Sequence, residues 1–192
     1  IGCFREMHVW DENGHGQIHF DSAAICESTL GYIIESRLIQ DSLHAALSNM
    51  DTIKWYRPAR PVLLEKYDDS VVLGLDDGRR LRSRLIVAAD GSNSAVRELA
   101  GITLDSHDYR QSALVSVVHT EKPHGDIARQ RFLSYGPLAF LPMAEPSRCG
   151  IVWSTRPEHA DELMNMDMGR FHLELESAFA GTLGRIISSG TR

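Results

Sequence analysis

The sequence contains no apolar run near the roughly 18 residues needed to cross a bilayer, and no Lys/Arg cluster that would act as a polybasic membrane anchor. It also lacks a basic face. The formal net charge is -6, which argues against a nucleic-acid surface. Cysteine is scarce: Cys3, Cys26 and Cys149 are odd in number and far apart, so they fit a reducing compartment better than a disulfide framework. No internal repeat and no low-complexity tract breaks the chain. Nine histidines invite a metal reading, yet the only close H-x-x-x-H spacing, His15 to His19, falls beside Gly14 and Gly16 in a turn rather than on a helix. No signal or targeting pattern opens the chain, which starts on Ile1 and closes on Ser188-Ser189-Gly190-Thr191-Arg192. Both ends are expected to have been cut from something longer.

What is present is a chain of 192 residues, 43% hydrophobic, enough for a core in one or two domains. Met7 to Trp10 and Gln17 to Phe20 read as short strands joined by a turn rich in Asp, Asn and Gly. Gly31 to Glu35 is a further extended step. Ser36 is the expected N-cap of a helix whose Leu38, Ile39, Leu43, Ala46, Leu47 and Met50 recur at helical spacing. Val62 to Tyr67 and Val71 to Leu75 form a strand pair, and Asp77-Gly78 is a tight-turn signal into a third strand. That third strand ends in Leu85-Ile86-Val87-Ala88-Ala89, apolar on both faces and so expected to be central in a sheet. Ser92, Asn93 and Ser94 can cap a short helix, Ala95 to Ala100, closed by Gly101. Beyond Tyr109 the pattern becomes antiparallel β: Ser112 to Thr120, Ala128 to Ser134, Leu138 to Pro142 and Gly150 to Thr155. Two helices follow, Glu158 to Met164 and Met168 to Ala180, the second with Phe171, Leu175, Ala178 and Phe179 on one face.

The sharpest chemical feature is the segment Leu85 to Arg97. An acidic residue, Asp90, ends an apolar strand at the position where open α/β sheets bind ligands. Gly91 would let backbone approach a ligand, and the helix after it would offer free N–H groups to an anion. The plainer reading is a strand-to-helix turn with Asp90 as a cap. Arg37 is a second candidate, because a cation in a first helical turn is disfavoured by the macrodipole unless an anion lies nearby. Gln40, one turn on, is a weaker one. An exposed arginine at a frayed helix end is the alternative. His119 and His124 are expected to be structural rather than acid–base groups.

Asp90-Gly91-x-x-Ser94-x-x-Arg97 after an apolar strand is similar to the second fingerprint of the FAD-dependent aromatic-ring hydroxylases, with all its fixed positions filled. The segments Met7-His8-Val9-Trp10-Asp11, Leu30 to Gln40, Ala128 to Phe132 and Gly136 to Pro142 resemble the branch working in ubiquinone biosynthesis, nearest in pattern to 2-polyprenylphenol hydroxylases. The resemblance covers nearly the whole chain. Two family features are missing: the opening strand–Gly-x-Gly-x-x-Gly–helix unit, for which Gly14-His15-Gly16 is no substitute, and the later Gly-Asp segment.

The resemblance implies a mixed α/β (α+β) chain in which part of an FAD-binding domain with a β-meander joins an antiparallel-sheet substrate domain, like p-hydroxybenzoate hydroxylase. The expected division is 1–27 as strands packing with the substrate domain, 28–103 as part of the FAD-binding domain and 104–192 as the substrate domain with its helices. It implies FAD held by Arg37, Gln40, Asp90, Gly91, Ser94 and Arg97. NAD(P)H would be co-substrate, and a prenylated phenol would be hydroxylated through a flavin hydroperoxide. Phe132, Leu138, Phe140, Leu141 and Trp153 are candidate walls of an apolar pocket for the prenylated ring; for any one of them, a place in the core between sheet and helices is the commoner outcome. No protein nucleophile or metal is called for. A cytoplasmic enzyme meeting the inner membrane or a biosynthetic complex transiently is expected. So is self-association through an uncovered sheet, because a missing βαβ unit would leave one exposed. Two rivals stay open: a non-catalytic lipid- or quinone-binding module on the same scaffold, and a related flavoprotein such as an epoxidase.

Overall fold

A computed structural model describes residues 1–192. Along the chain run β1 (Gly2–Phe4), β2 (Glu6–Asp11), β3 (Gln17–Asp21), β4 (Gly31–Ile33), α1 (Ser36–Ser48), β5 (Pro61–Lys66), β6 (Val71–Leu75), β7 (Arg80–Ser83), α2 (Ala95–Leu99), β8 (Ser112–Thr120), β9 (Ile127–Leu133), β10 (Gly136–Pro142), β11 (Arg148–Thr155), α3 (Pro157–Asn165), α4 (Met168–Ala178) and β12 (Ile186–Ser189). They form two units: residues 1–44 with 108–192, and residues 45–107. No helix is long and apolar enough to cross a membrane.

The larger unit is built on a seven-stranded sheet in the order β12-β8-β11-β10-β9-β2-β3. All neighbours are antiparallel except β2, which lies parallel to β9, with His8 opposite Arg129 and Trp10 opposite Arg131. A parallel pair needs a long crossover, and the connection here is the whole stretch from residue 12 to 126. The β2–β3 hairpin closes on Asp11, whose carboxylate accepts the N–H groups of Asn13 (2.9 Å) and Gly14 (2.7 Å), a local turn that Asp makes readily.

Burial alternates strictly along β8 and β11, so one face of the sheet is covered and the other is not. The covered face presents Leu114, Val118, Leu138, Phe140, Cys149, Ile151 and Trp153 to Leu163 of α3 and to Phe171, Leu175 and Phe179 of the α4 region. Phe140 stacks on Phe179 with ring centroids 3.8 Å apart, and Trp10 meets the same ring at 5.3 Å. Burying a side chain of this kind stabilises by about 1.5–3 kcal/mol. Gly136 shows why one position in β10 tolerates no side chain. Its φ is +136°, and a Cβ there would lie 2.3 Å from the Ser154 carbonyl oxygen on β11.

The smaller unit holds the antiparallel meander β5-β6-β7 and the short helix α2. Two expectations fail here and one in the other unit. Leu85 to Ala89 is not a central strand: it pairs with nothing, and Leu85 and Val87 are 74% and 78% exposed. A strand apolar on both faces needs neighbours on both edges, and none of these 192 residues supplies one. The third strand of the meander therefore stops at Ser83. Ser36 is the first helical residue of α1 rather than its cap; the carbonyl of Glu35 receives the N–H groups of Leu38 and Ile39.

Candidate functional site

The turn after residue 89 is built from its own side chains. Ser94 is the N-cap of α2, and its hydroxyl oxygen accepts the Arg97 N–H at 3.0 Å. The same hydroxyl donates to the Asp90 carboxylate, whose second oxygen accepts the Val96 N–H at 3.2 Å. Arg97 folds back and donates through Nη1 to the Ser92 carbonyl at 2.8 Å. Asp90, Gly91, Ser94 and Arg97 thus meet in one closed hydrogen-bonded turn. The Ser94 hydroxyl, first, and the Val96 N–H hold the Asp90 carboxyl below the usual aspartate value. It stays ionised at neutral pH.

That geometry corrects the expected chemistry in one respect. The first-turn N–H groups of Val96 and Arg97 are already taken, by Asp90 and Ser94, so the helix start is not open to a foreign anion. What remains available is an exposed carboxylate with unused lone pairs. Beside it Gly91 sits at φ +86°, and no atom lies within 4 Å of where its Cβ would be. The glycine serves the turn conformation and leaves its backbone bare to solvent. Such a turn can accept hydrogen bonds from hydroxyls, and it presents peptide edges at close range.

Gly91, Ser94 and Arg97 also edge a cleft of about 550 Å³, floored by Leu64, Val71, Leu85, Ile86 and Val96. Lys66 and Arg84 line it too. Lys66 donates to the Ala100 carbonyl at 2.9 Å, bonding the end of β5 to the end of α2. Sequence reasoning passed over these two cations because nothing local marks them; they stand 18 residues apart and converge only through the meander.

Arg37 and Gln40 lie on α1, apart from this turn in the chain's division into units. Arg37 is an exposed side chain with Asp41 at 3.8 Å, one turn on. An exposed i,i+4 pair of this kind contributes little, and no other partner is seen for the Arg37 side chain.

The five expected pocket residues do not share a surface. Leu138, Phe140 and Trp153 are 0–2% exposed and belong to the core under α3 and α4. Leu141 and Phe132 point the other way. The reason is strand parity: Leu138 pairs with Trp153, while Phe132 pairs with Pro137, one residue out of phase. On the face opposite the helices, Phe132 is 47% exposed, with Val115, Ile18 and Phe20 at 50–60%, and Leu141, Val9 and Val152 are half-buried. This is a broad apolar sheet surface, and Val115, Val152, Val9 and Ile18 on it had no earlier assignment. Their alternation with buried residues was the available signal.

His119 and His124 stay out of this chemistry. His124 is buried, with Nε2 at 3.0–3.1 Å from the Met143 and Glu145 carbonyls and Nδ1 accepting the Asp126 N–H at 3.0 Å, a structural clamp.

Comparison with known proteins gives a consistent set of likenesses. Residues 64–182 match the family model described as an FAD binding domain. The chain is 33% identical over 184 residues to 3-demethoxyubiquinol 3-hydroxylase of Escherichia coli strain K12, covering 95% of this chain and 46% of that protein. It is 38% identical over 187 residues to the human mitochondrial ubiquinone biosynthesis monooxygenase COQ6, covering 92% and 39%. To the ubiquinone hydroxylase UbiL of Rhodospirillum rubrum it is 35% identical, covering 97% and 43%. The chain therefore spans somewhat less than half the length of these curated relatives. Among solved structures, PqsL, a probable FAD-dependent monooxygenase of Pseudomonas aeruginosa, superposes with a TM-score of 0.72 at 23% identity, covering 95% of this chain and 54% of that one. HpxO of Klebsiella pneumoniae, complexed with FAD and uric acid, gives 0.66 at 21%, covering 94% and 46%. These structures establish the fold: the mixed α/β architecture of FAD-dependent monooxygenases.

Proposed function

The chain belongs to the FAD binding domain family of flavin-dependent aromatic hydroxylases, in its ubiquinone-biosynthesis branch, and from that premise we propose that it serves hydroxylation of the aromatic ring of a prenylated phenol, with NAD(P)H and O2 as co-substrates. The observation that carries this reading is the Asp90 turn. Its residues fit a flavin: the carboxylate is ionised, exposed and rich in acceptor capacity, so it suits the hydroxyl groups of a ribityl chain. The bare backbone at Gly91 admits a large ligand, and Lys66, Arg84 and Arg97 bring positive charge to the adjoining cleft. When bound, the flavin supplies the oxygen-transfer chemistry that no side chain here provides. The protein's own work is to hold, orient and exclude water.

The apolar sheet face supports the substrate side of the proposal. Phe132, Val115, Ile18 and Phe20 expose a surface that a prenyl tail or a phenol ring can cover. A non-catalytic quinone-binding module would use the same face, which holds no residue of the Asp90 turn, so the two readings part at the cofactor.

Calorimetric titration of the chain with FAD, with Asp90→Ala beside it, tests the proposal. Expected is saturable binding weakened at least on the order of tenfold in the variant, the loss of one or two charge-assisted hydrogen bonds. Equal FAD affinity in both proteins would remove the turn from the cofactor site. Binding of a prenylated phenol with no FAD affinity at all would favour the quinone-binding module.

A further inference from the structure

Register lines up one residue from each of six strands across the uncovered face of the large sheet. Val115 of β8 pairs with Val152 of β11, Val152 with Ala139 of β10, and Ala139 with Gln130 of β9. Gln130 in turn lies beside Val9 of β2, and Val9 beside Ile18 of β3. Gln130 is the one polar side chain in that row, and it sits near the middle of it. It stands two residues from Phe132 on β9, so both side chains leave the strand on the same face.

The hydrogen bonds leave this amide free. Gln130 is half-buried, yet no group of the chain bonds its side chain, and its amide is not sealed off from solvent. Asp11, at the margin of the same face, is in the opposite condition: its carboxylate is spent on the Asn13 and Gly14 N–H groups. A glutamine on a solvated sheet face is ordinary, but the residues around it there are polar as well. Here its row is apolar, which marks a face that something covers, and covering it takes the amide out of water. An amide covered by hydrocarbon loses its bonds to water and gains none in return. The arrangement favours a ligand that is apolar over most of its area and carries a hydrogen-bonding group above Gln130.

We propose that Gln130 orients the phenol: its amide oxygen accepts the O–H of the ring hydroxyl while the ring and prenyl tail cover Val9, Ala139, Val152 and Phe132. An amide has both a carbonyl acceptor and two N–H donors, so one side chain can meet the hydroxyl in either sense. Gln130 thereby selects a hydroxylated ring over a bare hydrocarbon, because a site that pairs a hydroxyl leaves its own polar group unpaired when the hydroxyl is missing. The proposal rests on the reading of this face as the substrate's and needs nothing from the Asp90 turn.

Calorimetry with 2-prenylphenol and with prenylbenzene, the same ligand without its hydroxyl, decides the matter on this chain and two variants. The parent chain should bind the phenol on the order of tenfold more tightly than the hydrocarbon. Gln130→Met keeps the unbranched shape and joins an apolar row, so it should fold. It should bring the two affinities to within about twofold of each other, a change in ratio that a loss of packing alone would not produce. Phe132→Ala should weaken both ligands alike and leave their ratio as it was. Equal affinities in the parent chain, or an unchanged ratio in Gln130→Met, overturns the role of Gln130 and leaves the face as the substrate's. No binding of either ligand, or affinities that Phe132→Ala does not alter, overturns the face and the proposal together.

Discussion

Phe140 and Phe132 are aromatic residues on neighbouring strands, and the structure gives them opposite roles. Phe140 is 1% exposed and stacked at 3.8 Å on Phe179, inside the cluster that joins the sheet to α3 and α4. Truncation to alanine leaves a cavity that close packing cannot collapse, so Phe140→Ala should cost about 3–5 kcal/mol. Against a typical domain stability of about 5–15 kcal/mol that is a large share. Phe140→Leu, which keeps most of the volume, should cost about 1.5 kcal/mol or less and provides a variant expected to fold. Phe132 is 47% exposed on the opposite face, and Phe132→Ala should cost about 1 kcal/mol or less. Urea unfolding followed by tryptophan fluorescence reads the difference. Trp10 and Trp153 lie in the larger unit and Trp55 in the smaller, so a Trp55→Phe background confines the signal to the sheet and its helices. The same variants titrated with a prenylated phenol should reverse order, with Phe132→Ala losing affinity and Phe140→Leu keeping it. Equal destabilisation by the two alanines would refute the assignment of faces. So would loss of phenol binding in Phe140→Leu alone.

Three further outcomes follow from individual groups. Burial pushes the Cys149 thiol up to about 12, with Arg129 pulling weakly the other way. Cys26 is exposed, so a disulfide reagent at pH 8 should label Cys26 quickly and Cys149 only on unfolding. Because the folded chain keeps a proton that an unfolded thiol sheds near 9, stability should also fall as pH rises from about 9 toward about 12, and Cys149→Ala should flatten that decline. Asp90 is held low chiefly by the Ser94 hydroxyl, so its contribution to the turn is present above the ordinary aspartate value of about 3.9 and is lost as pH falls through its own lower value. Carboxyl NMR should show Asp90 titrating below 3.9, and Ser94→Ala should raise it. Leu85 and Val87 stand 74% and 78% exposed in an unpaired extended segment, so the chain should bind a hydrophobic dye or self-associate; Leu85→Ser/Val87→Ser should reduce both, and a monomer indifferent to dye would count against it.

The antiparallel part of the fold was legible because runs rich in β-branched residues are bounded by Gly and Pro. Ser112 to Thr120 reads as a strand from its three valines, and β8 has those limits; which of its residues face the helices shows only in the alternating burial of the folded sheet. β12 was missed because four residues, Ile186 to Ser189, carry no pattern of their own; they become a strand only against the edge of β8, through an irregular register. Leu85 to Ala89 misled in the opposite way. Its composition records an environment buried on both faces, which partners outside a segment must create. The pocket assignment failed for a reason the sequence could have supplied: residues 138 and 140 share a parity that 141 lacks, so one strand could not turn all three to one cavity. The Asp90 motif was visible as a motif, while its internal bonds, which close the helix start, depend on the angle at which Ser94 enters the turn.

Those bonds decide which part of a dinucleotide cofactor the turn can meet. A carboxylate kept ionised at neutral pH repels phosphate, and the two N–H groups that might have offset the repulsion already serve Asp90 and Ser94. The turn is therefore a place for hydroxyl donors. Phosphate charge must be met by cations, and in this unit Lys66, Arg84 and Arg97 bring it to the neighbouring cleft. Each is already set or free in a different way: Lys66 tied to Ala100, Arg97 tied through one nitrogen to Ser92, Arg84 without such a tether. A cofactor that carries both a polyol and a pyrophosphate uses both halves of this arrangement, and a simple phosphate uses only one. The turn's preference for hydroxyls over phosphate is thus a stronger argument for a flavin nucleotide than the presence of the acidic residue alone.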